Sequence, residues 1–159
     1  MAYTAYISIK GQKQGQFAGD GSNKQNKDRI LITSFTFSLT SPRDVATGQA
    51  SGKRQYQPIV VRKHWGEASP QIYAATVTNE VLPTVLIEFV ATDAKGLQEV
   101  DHSFTLTNAT ISAVRDFTES VQSSNQLDEL DEISFTFQKI EVKDKSGKTL
   151  DDNWAAPVA

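Results

Sequence analysis

The chain has 159 residues, with 16 basic and 19 acidic side chains and a formal net charge of −3. That length suits one domain spanning 1–159 with an ordinary hydrophobic core, and the slight negative charge argues against a nucleic-acid partner. The absence of cysteine excludes disulfides, thiolate catalysis, zinc fingers and iron–sulfur clusters. The longest apolar run, Val85 to Val90 broken by Glu88, is far short of the ~20 residues of a membrane-spanning helix, so no membrane partner is expected. Met1 to Tyr6 lacks a basic segment followed by an apolar one, so the reading is a cytoplasmic start without a secretory signal. Export by a route that reads no signal peptide stays open.

Val, Ile and Thr total 37 against 9 Leu, a bias toward side chains branched at Cβ that suits pleated sheets. The first strand pattern alternates Tyr3, Ala5, Ile7 and Ile9 with Thr4, Tyr6, Ser8 and Lys10. A polar, glycine-bearing loop follows from Gly11 to Asp28. Its Gly19–Lys24 stretch resembles a phosphate loop only faintly, because neither the spacing nor a following helix is present. Leu31, Phe35, Phe37 and Leu39 mark the next strand, with Ser34, Thr36 and Ser38 on its other face. Thr40 to Gln57 reads as a long polar loop. Ile59, Val61 and Trp65 then share a phase with Lys63.

Ser69-Pro70 reads as an N-cap with proline at the first helical position. Tyr73, Val77 and Val81 recur every four residues, so one short helix is expected over about 70–79. Val85, Ile87, Phe89 and Ala91 form a strand whose second face carries Leu86, Glu88 and Val90, an apolar pair that hints at a subunit contact. Asp93–Gly96 and Asp144–Gly147 both read D-x-x-G between strands, the chemistry of a type I turn closed by a glycine at positive φ. Val100, His102, Phe104 and Leu106 share one face, which makes His102 a packed histidine rather than a metal ligand. Ile111 and Ala113 continue it, and Asp116 to Glu129 reads as a polar loop.

Asp128, Glu129, Asp131 and Glu132 gather ahead of the Ile133, Phe135, Phe137 strand. They read as the solvated start of a strand, with a contact for basic groups of a partner subunit as the other option. After Phe137 the apolar phase moves to Ile140 and Val142, which predicts a bulge near Gln138-Lys139. No nucleophile with a base can be assembled, and no cofactor or metal is implied. Seven or eight strands, one helix and long loops suggest a barrel or sandwich. Ser34, Thr36 and Ser38 on one strand and Ser134, Thr136 and Gln138 on another make small, polar, uncharged faces. Exposed monomer strands usually carry Lys there against edge pairing, so these faces suit a water-filled lumen.

The middle loop is the most specific segment. Thr47-Gly48-Gln49-Ala50-Ser51-Gly52-Lys53-Arg54-Gln55-Tyr56-Gln57-Pro58 resembles a T-G-x-x-x-G-x-R-x-[HY]-x-P run, followed by Lys63, Ser69-Pro70 and Ile72-Tyr73-x-Ala75. This pattern is similar to that of the hemolysin-coregulated protein (Hcp) family, the tube subunit of type VI secretion systems. Tyr56 stands where the family often has His, and Gly66, with Glu67 beside it, stands where an acid is usual.

The resemblance implies a mostly β, two-sheet β-barrel with one short α-helix and long loops, and no enzyme activity. It implies homohexameric rings that stack into a secreted tube, work with contractile sheath, spike and baseplate proteins, and carry small effector proteins. The inter-ring loop would hold Arg43, Asp44, Thr47, Gly48, Gln49, Gly52, Lys53 and Arg54, with the Asp128–Glu132 cluster as a partner for its basic groups. A tube subunit of a related contractile injection system or phage tail is the first alternative. A monomeric ligand-binding β-barrel is the second, and it wants an apolar cavity and no subunit patch.

Overall fold

The computed structural model describes residues 3–19, 28–120 and 127–155. Strand β1 (Thr4–Gly11) lies between β8 (Leu82–Thr92) on one side and β2 (Gly15–Gln16) and β3 (Ile30–Ile32) on the other. On its far side β8 pairs with the first half of β9 (Gln98–Ser120), which then takes β11 (Lys139–Asp144) and β12 (Thr149–Asn153). The second half of β9 pairs with β10 (Leu127–Thr136), then β7 (Ile59–His64), then β4 (Ser34–Thr36). These pairings are antiparallel, so alternate residues face one enclosed core.

Two corners turn these ladders into a barrel-like shell. One is Asn108, which bends β9 between the two sheets at φ 50°, a left-handed conformation that asparagine tolerates. The other is Thr33, where the chain passes from β3, paired with β1, to β4, paired with β7; its N–H donates to the Arg62 carbonyl at 2.7 Å. The core between the sheets is built from Ile7, Ile9, Ile59, Val61, Val85, Ile87, Leu106, Ile133 and Phe135, all at 0–1% exposure. Burying each such side chain contributes roughly 1.5–3 kcal/mol, which is why the β-branched alternation dictates this fold.

Helix α1 (Ala68–Thr78) covers one side of the shell. It starts two residues earlier than the sequence predicts. Glu67 takes the cap position without a side-chain bond, and Ser69 sits in the first turn with its hydroxyl directed elsewhere. The buried stripe is Ala68, Ser69, Ile72 and Ala75, while Val77 is 83% exposed. The Tyr73–Val77–Val81 stripe is thus corrected: Tyr73 lies on the flank because its hydroxyl reaches two carboxylates, and that turns Val77 to solvent. The helix ends at Asn79, which is left-handed at φ 52°, ahead of Pro83.

The D-x-x-G turns form as read. Gly96 and Gly147 have φ of 81° and 95°, and their N–H groups donate to Asp93 and Asp144 carbonyls at 3.0 Å. The phase change after Phe137 is a corner rather than a bulge within one strand. β10 ends at Thr136 and β11 begins at Lys139 opposite the Asn108 bend, and the Gln138 N–H donates to the Thr107 carbonyl. Two bulges lie in β9 instead: Ser112 is the extra residue between the Phe135–Ile111 and Ser134–Ala113 pairs, which puts Ala113 outside and Val114 inside, and Asp101 is the extra residue between the Phe89–His102 and Val90–Val100 pairs, which takes Val100 off the face of His102. Within the span Asp116 to Glu129, β9 runs to Ser120 and β10 starts at Leu127, so both ends are strand, while 121–126 lie outside the described residues. Positions 20–24 of the faint phosphate loop lie outside the described residues.

Candidate functional site: an arm, a polar wall and a buried charge cluster

From the end of β4 the chain runs out as an arm and returns to β7. Two rungs start it: β5 (Leu39–Thr40) pairs with β6 (Gln55–Tyr56). Farther out, Arg43 bridges Ala50 and the Asp44 N–H donates to the Gln49 carbonyl at 2.8 Å. The Asp44 carboxylate accepts the N–H groups of Ala46 and Thr47, and the Thr47 hydroxyl accepts that of Gln49. Asp44 and Thr47 therefore shape the tip. Val45, Gly48, Gln49, Gly52 and Lys53 are exposed along with Arg43, and Val45 stands fully in solvent. The segment is a hydrogen-bonded hairpin excursion.

Arg54 is corrected. Its guanidinium grips both carboxylate oxygens of Asp152, with Nη2 at 2.7 Å from Oδ1, and also donates to the Asn153 carbonyl at 2.6 Å. It is engaged within its own chain, because β12 brings Asp152 to the base of the arm. The Tyr56 hydroxyl bonds the same carboxylate, and its ring packs with Phe37, Phe137 and Trp154. The Arg54 bond holds the Asp152 carboxyl below the ordinary aspartate range, and the same bond raises Arg54. Burial, reinforced by Asp152, raises the Tyr56 hydroxyl. An acid with a lowered folded pKa contributes stability above its unfolded value, and that contribution is lost as pH falls through the lowered one.

The residues expected to face a lumen come together in part. Ser34 and Thr36 on β4 lie opposite Arg62 and Val60 of β7, and Glu132 and Ser134 of β10 lie on the other side of that same pair. Ser34, Thr36, Ser134 and Thr136 thus share one outward face, and Thr136 meets Thr110 at 3.0 Å. Ser38 and Gln138 fall beyond the four strands: Ser38 is half-buried at the arm's root, and Gln138 sits at the corner, bonded by Asn108. The face is not uncharged either. β7 and β9 add Arg62 and Arg115, which share Glu132 at 2.9 and 3.3 Å and cover the Phe117 ring. The two guanidinium bonds, Arg115 first, hold Glu132 below its ordinary range.

On β8, Leu86 is half-buried on the outward face and Glu88 pairs with Arg29 at 2.9 Å. Val90 is corrected as a contact residue: at 5% exposure in the chain by itself, it offers no surface to a neighbour. The acidic cluster is divided among intrachain partners. Asp128 meets His64 at 2.9 Å and Glu132 meets the two arginines. Asp131 is fully buried, 3.2 Å from the equally buried Lys63. Three of the four carboxylates, Asp128, Asp131 and Glu132, are therefore already engaged within the chain.

Lys63, Ser69, Tyr73 and Asp131 are the residues that sequence reasoning leaves unconnected. The Lys63 ammonium donates to the Ser69 hydroxyl at 2.9 Å and to the His64 carbonyl at 3.1 Å. Ser69 donates to one Asp131 oxygen, and the Tyr73 hydroxyl, which also meets Asp116, donates to the other at 2.8 Å. Burial first, then these carboxylates, pushes the Tyr73 hydroxyl far up. The cluster rivets α1 to β7 and β10. One signal for it is visible in the sequence, namely a lysine in the apolar phase of a strand. His102, as expected, is packed: it stacks on Phe89 at 4.4 Å.

The type VI secretion system effector Hcp family model matches residues 6–143. The chain is 32% identical, over its whole length and 99% of the relative's, to the Major exported protein of Pseudomonas aeruginosa. It is similar in structure to a crystal structure of an Hcp protein, with a TM-score of 0.86, 25% identity, and coverage of 96% of this chain and 100% of that one. The secreted protein Hcp3 of Pseudomonas aeruginosa is also similar, with a TM-score of 0.79, 28% identity, and 98% and 100% coverage. That family is one of secreted structural proteins rather than enzymes, and its β-rich fold with one short helix is the fold described above. The chain belongs to the Hcp family of type VI secretion proteins.

Proposed function

We propose that this chain, as one domain over 1–159, is the tube subunit of a type VI secretion apparatus: six copies close into a ring, and rings stack into a tube. The outward face of β4, β7, β10 and β9 carries this reading. Ser34, Thr36, Ser134, Thr136 and Thr110 make a wall that wets readily, and small effector proteins would travel along it. The Arg62–Glu132–Arg115 network marks one end of that wall with two arginines on a single carboxylate, a net positive charge.

A closed ring needs two different patches to meet, and Leu86 beside the Arg29–Glu88 pair supplies one of them. The arm supplies the contact between rings through Arg43, Val45, Gln49, Gly52 and Lys53, with Asp44, Thr47 and Gly48 holding its tip in shape. The subunit would be made in a bacterial cytoplasm and leave through the apparatus without a signal peptide, in company with sheath, spike and baseplate proteins.

Replacing the tip, Val45 to Gln49, by two glycines tests the arm's part. Rings of unchanged native mass are expected, with stacks at high concentration shortened or absent by negative-stain microscopy. Stacks of wild-type length would remove the arm from the contact between rings.

A further inference from the structure

We infer that the C-terminal strand aims the arm, and that Asp152 and Trp154 are positioning residues for the contact between rings. The inference rests on the reading of the arm as the inter-ring element. The arm begins with the Leu39–Tyr56 and Thr40–Gln55 pairs and a Gln57 N–H bond to the Ser38 carbonyl at 3.1 Å, and so short a ladder does not fix a direction by itself. Phe37 packs on Tyr56 from the outgoing limb, and a polar hold is added from the side of β12. Arg54 and Tyr56, two residues apart on the returning limb, both close on the Asp152 carboxylate, and Arg54 adds the Asn153 carbonyl. A guanidinium fork on a carboxylate fixes an angle as well as a distance. Trp154 completes the seat: its ring lies 5.7 Å from Tyr56 and 4.9 Å from Phe137, and its backbone N–H donates to the Gln138 carbonyl at 2.8 Å.

β12 is suited to this task because the shell does not need it to close. Among the described residues it pairs with β11 alone, and none of its five residues is fully buried. Releasing it therefore frees the arm while the sheets keep their core. The grip joins positions 98 residues apart, so the end of the chain sets the geometry of its middle.

The test compares the full-length chain with Asp152→Asn, Trp154→Ala and the conservative Asp152→Glu. Four quantities are measured: the melting temperature, the native mass, the rate of trypsin cleavage after Lys53, and stacking by negative stain. Asp152→Asn and Trp154→Ala are expected to speed that cleavage about tenfold, the ratio that a lost charge-assisted bond or aromatic seat gives. Native mass should stay unchanged while stacks shorten, and Asp152→Glu should fall close to wild type. Cleavage at the wild-type rate in both disruptive variants overturns the inference. So does normal stacking by a variant whose arm has been loosened. If the wild-type chain forms no rings, the tube reading fails, while the cleavage rates still decide whether β12 holds the arm.

Discussion

Asp131→Ala is expected to destabilise the protein by about 3–5 kcal/mol, the cost of stranding one member of a buried ion pair. Lys63 and Asp131 both have no exposed side-chain surface, and the carboxylate is the group on which Lys63, Ser69 and Tyr73 converge. Without it, a charged ammonium stays in the core facing, among the described residues, the Ser69 hydroxyl and the His64 carbonyl. For a chain of this size the melting temperature should fall by roughly 10 °C or more. Asp131→Asn keeps the volume and some hydrogen bonds, so it should fall between wild type and Asp131→Ala. Lys63→Met combined with Asp131→Leu should recover much of the loss, because removing both charges removes the cost of burying them. Thermal melts of these variants check the ranking, and Asp131→Ala within about 1 kcal/mol of wild type would contradict it.

Gly11→Ala should cost about 2–5 kcal/mol through a second, unrelated mechanism. A methyl group built on Gly11 falls 2.0 Å from the Glu80 Oε2 atom and 3.1 Å from the Phe17 ring. Glu80 lies just past α1, is 6% exposed, and accepts the N–H groups of Lys13 and Gln14 at 3.3 and 3.1 Å. The methyl group would push the carboxylate off those donors and detach the first hairpin turn from the helix. Gly52→Ala is the control: among the described residues nothing lies within 4 Å of its methyl position, so it should be near neutral. Chemical denaturation of Gly11→Ala, Glu80→Ala and the double variant should show strong coupling, with the glycine change costing much less once Glu80 is gone. Additive effects would contradict this account.

Much of the shell is legible in the sequence because each strand with one buried face writes its phase locally. Ile7 and Ile9, Val85 and Ile87, and Ile133 and Phe135 all fall inside as their alternation requires. The two D-x-x-G turns are legible for the same reason, since four residues contain their whole chemistry. What fails locally is settled by partners far along the chain. Asp116 to Glu129 looks like a loop because its polar residues serve other contacts. Asp116 meets Tyr73, and Asp128 meets His64.

The helix stripe misleads because Tyr73 is drawn aside by the same carboxylates. Arg54 reads as a free donor for another ring because its acceptor, Asp152, lies at the other end of the chain. Lys63 in an apolar phase and Asn108 just ahead of a phase change are the two visible signs of what the sequence pattern otherwise conceals.

The central claim is that this chain assembles into a ring. Its most direct test is the native mass in solution, by light scattering on a size-exclusion column. The account predicts a species near six chains of 17.5 kDa, seen as annular particles by negative stain. A strictly monomeric protein at high concentration would contradict it, and the outward face of Ser34, Thr36, Ser134 and Thr136 would then be an ordinary wet surface.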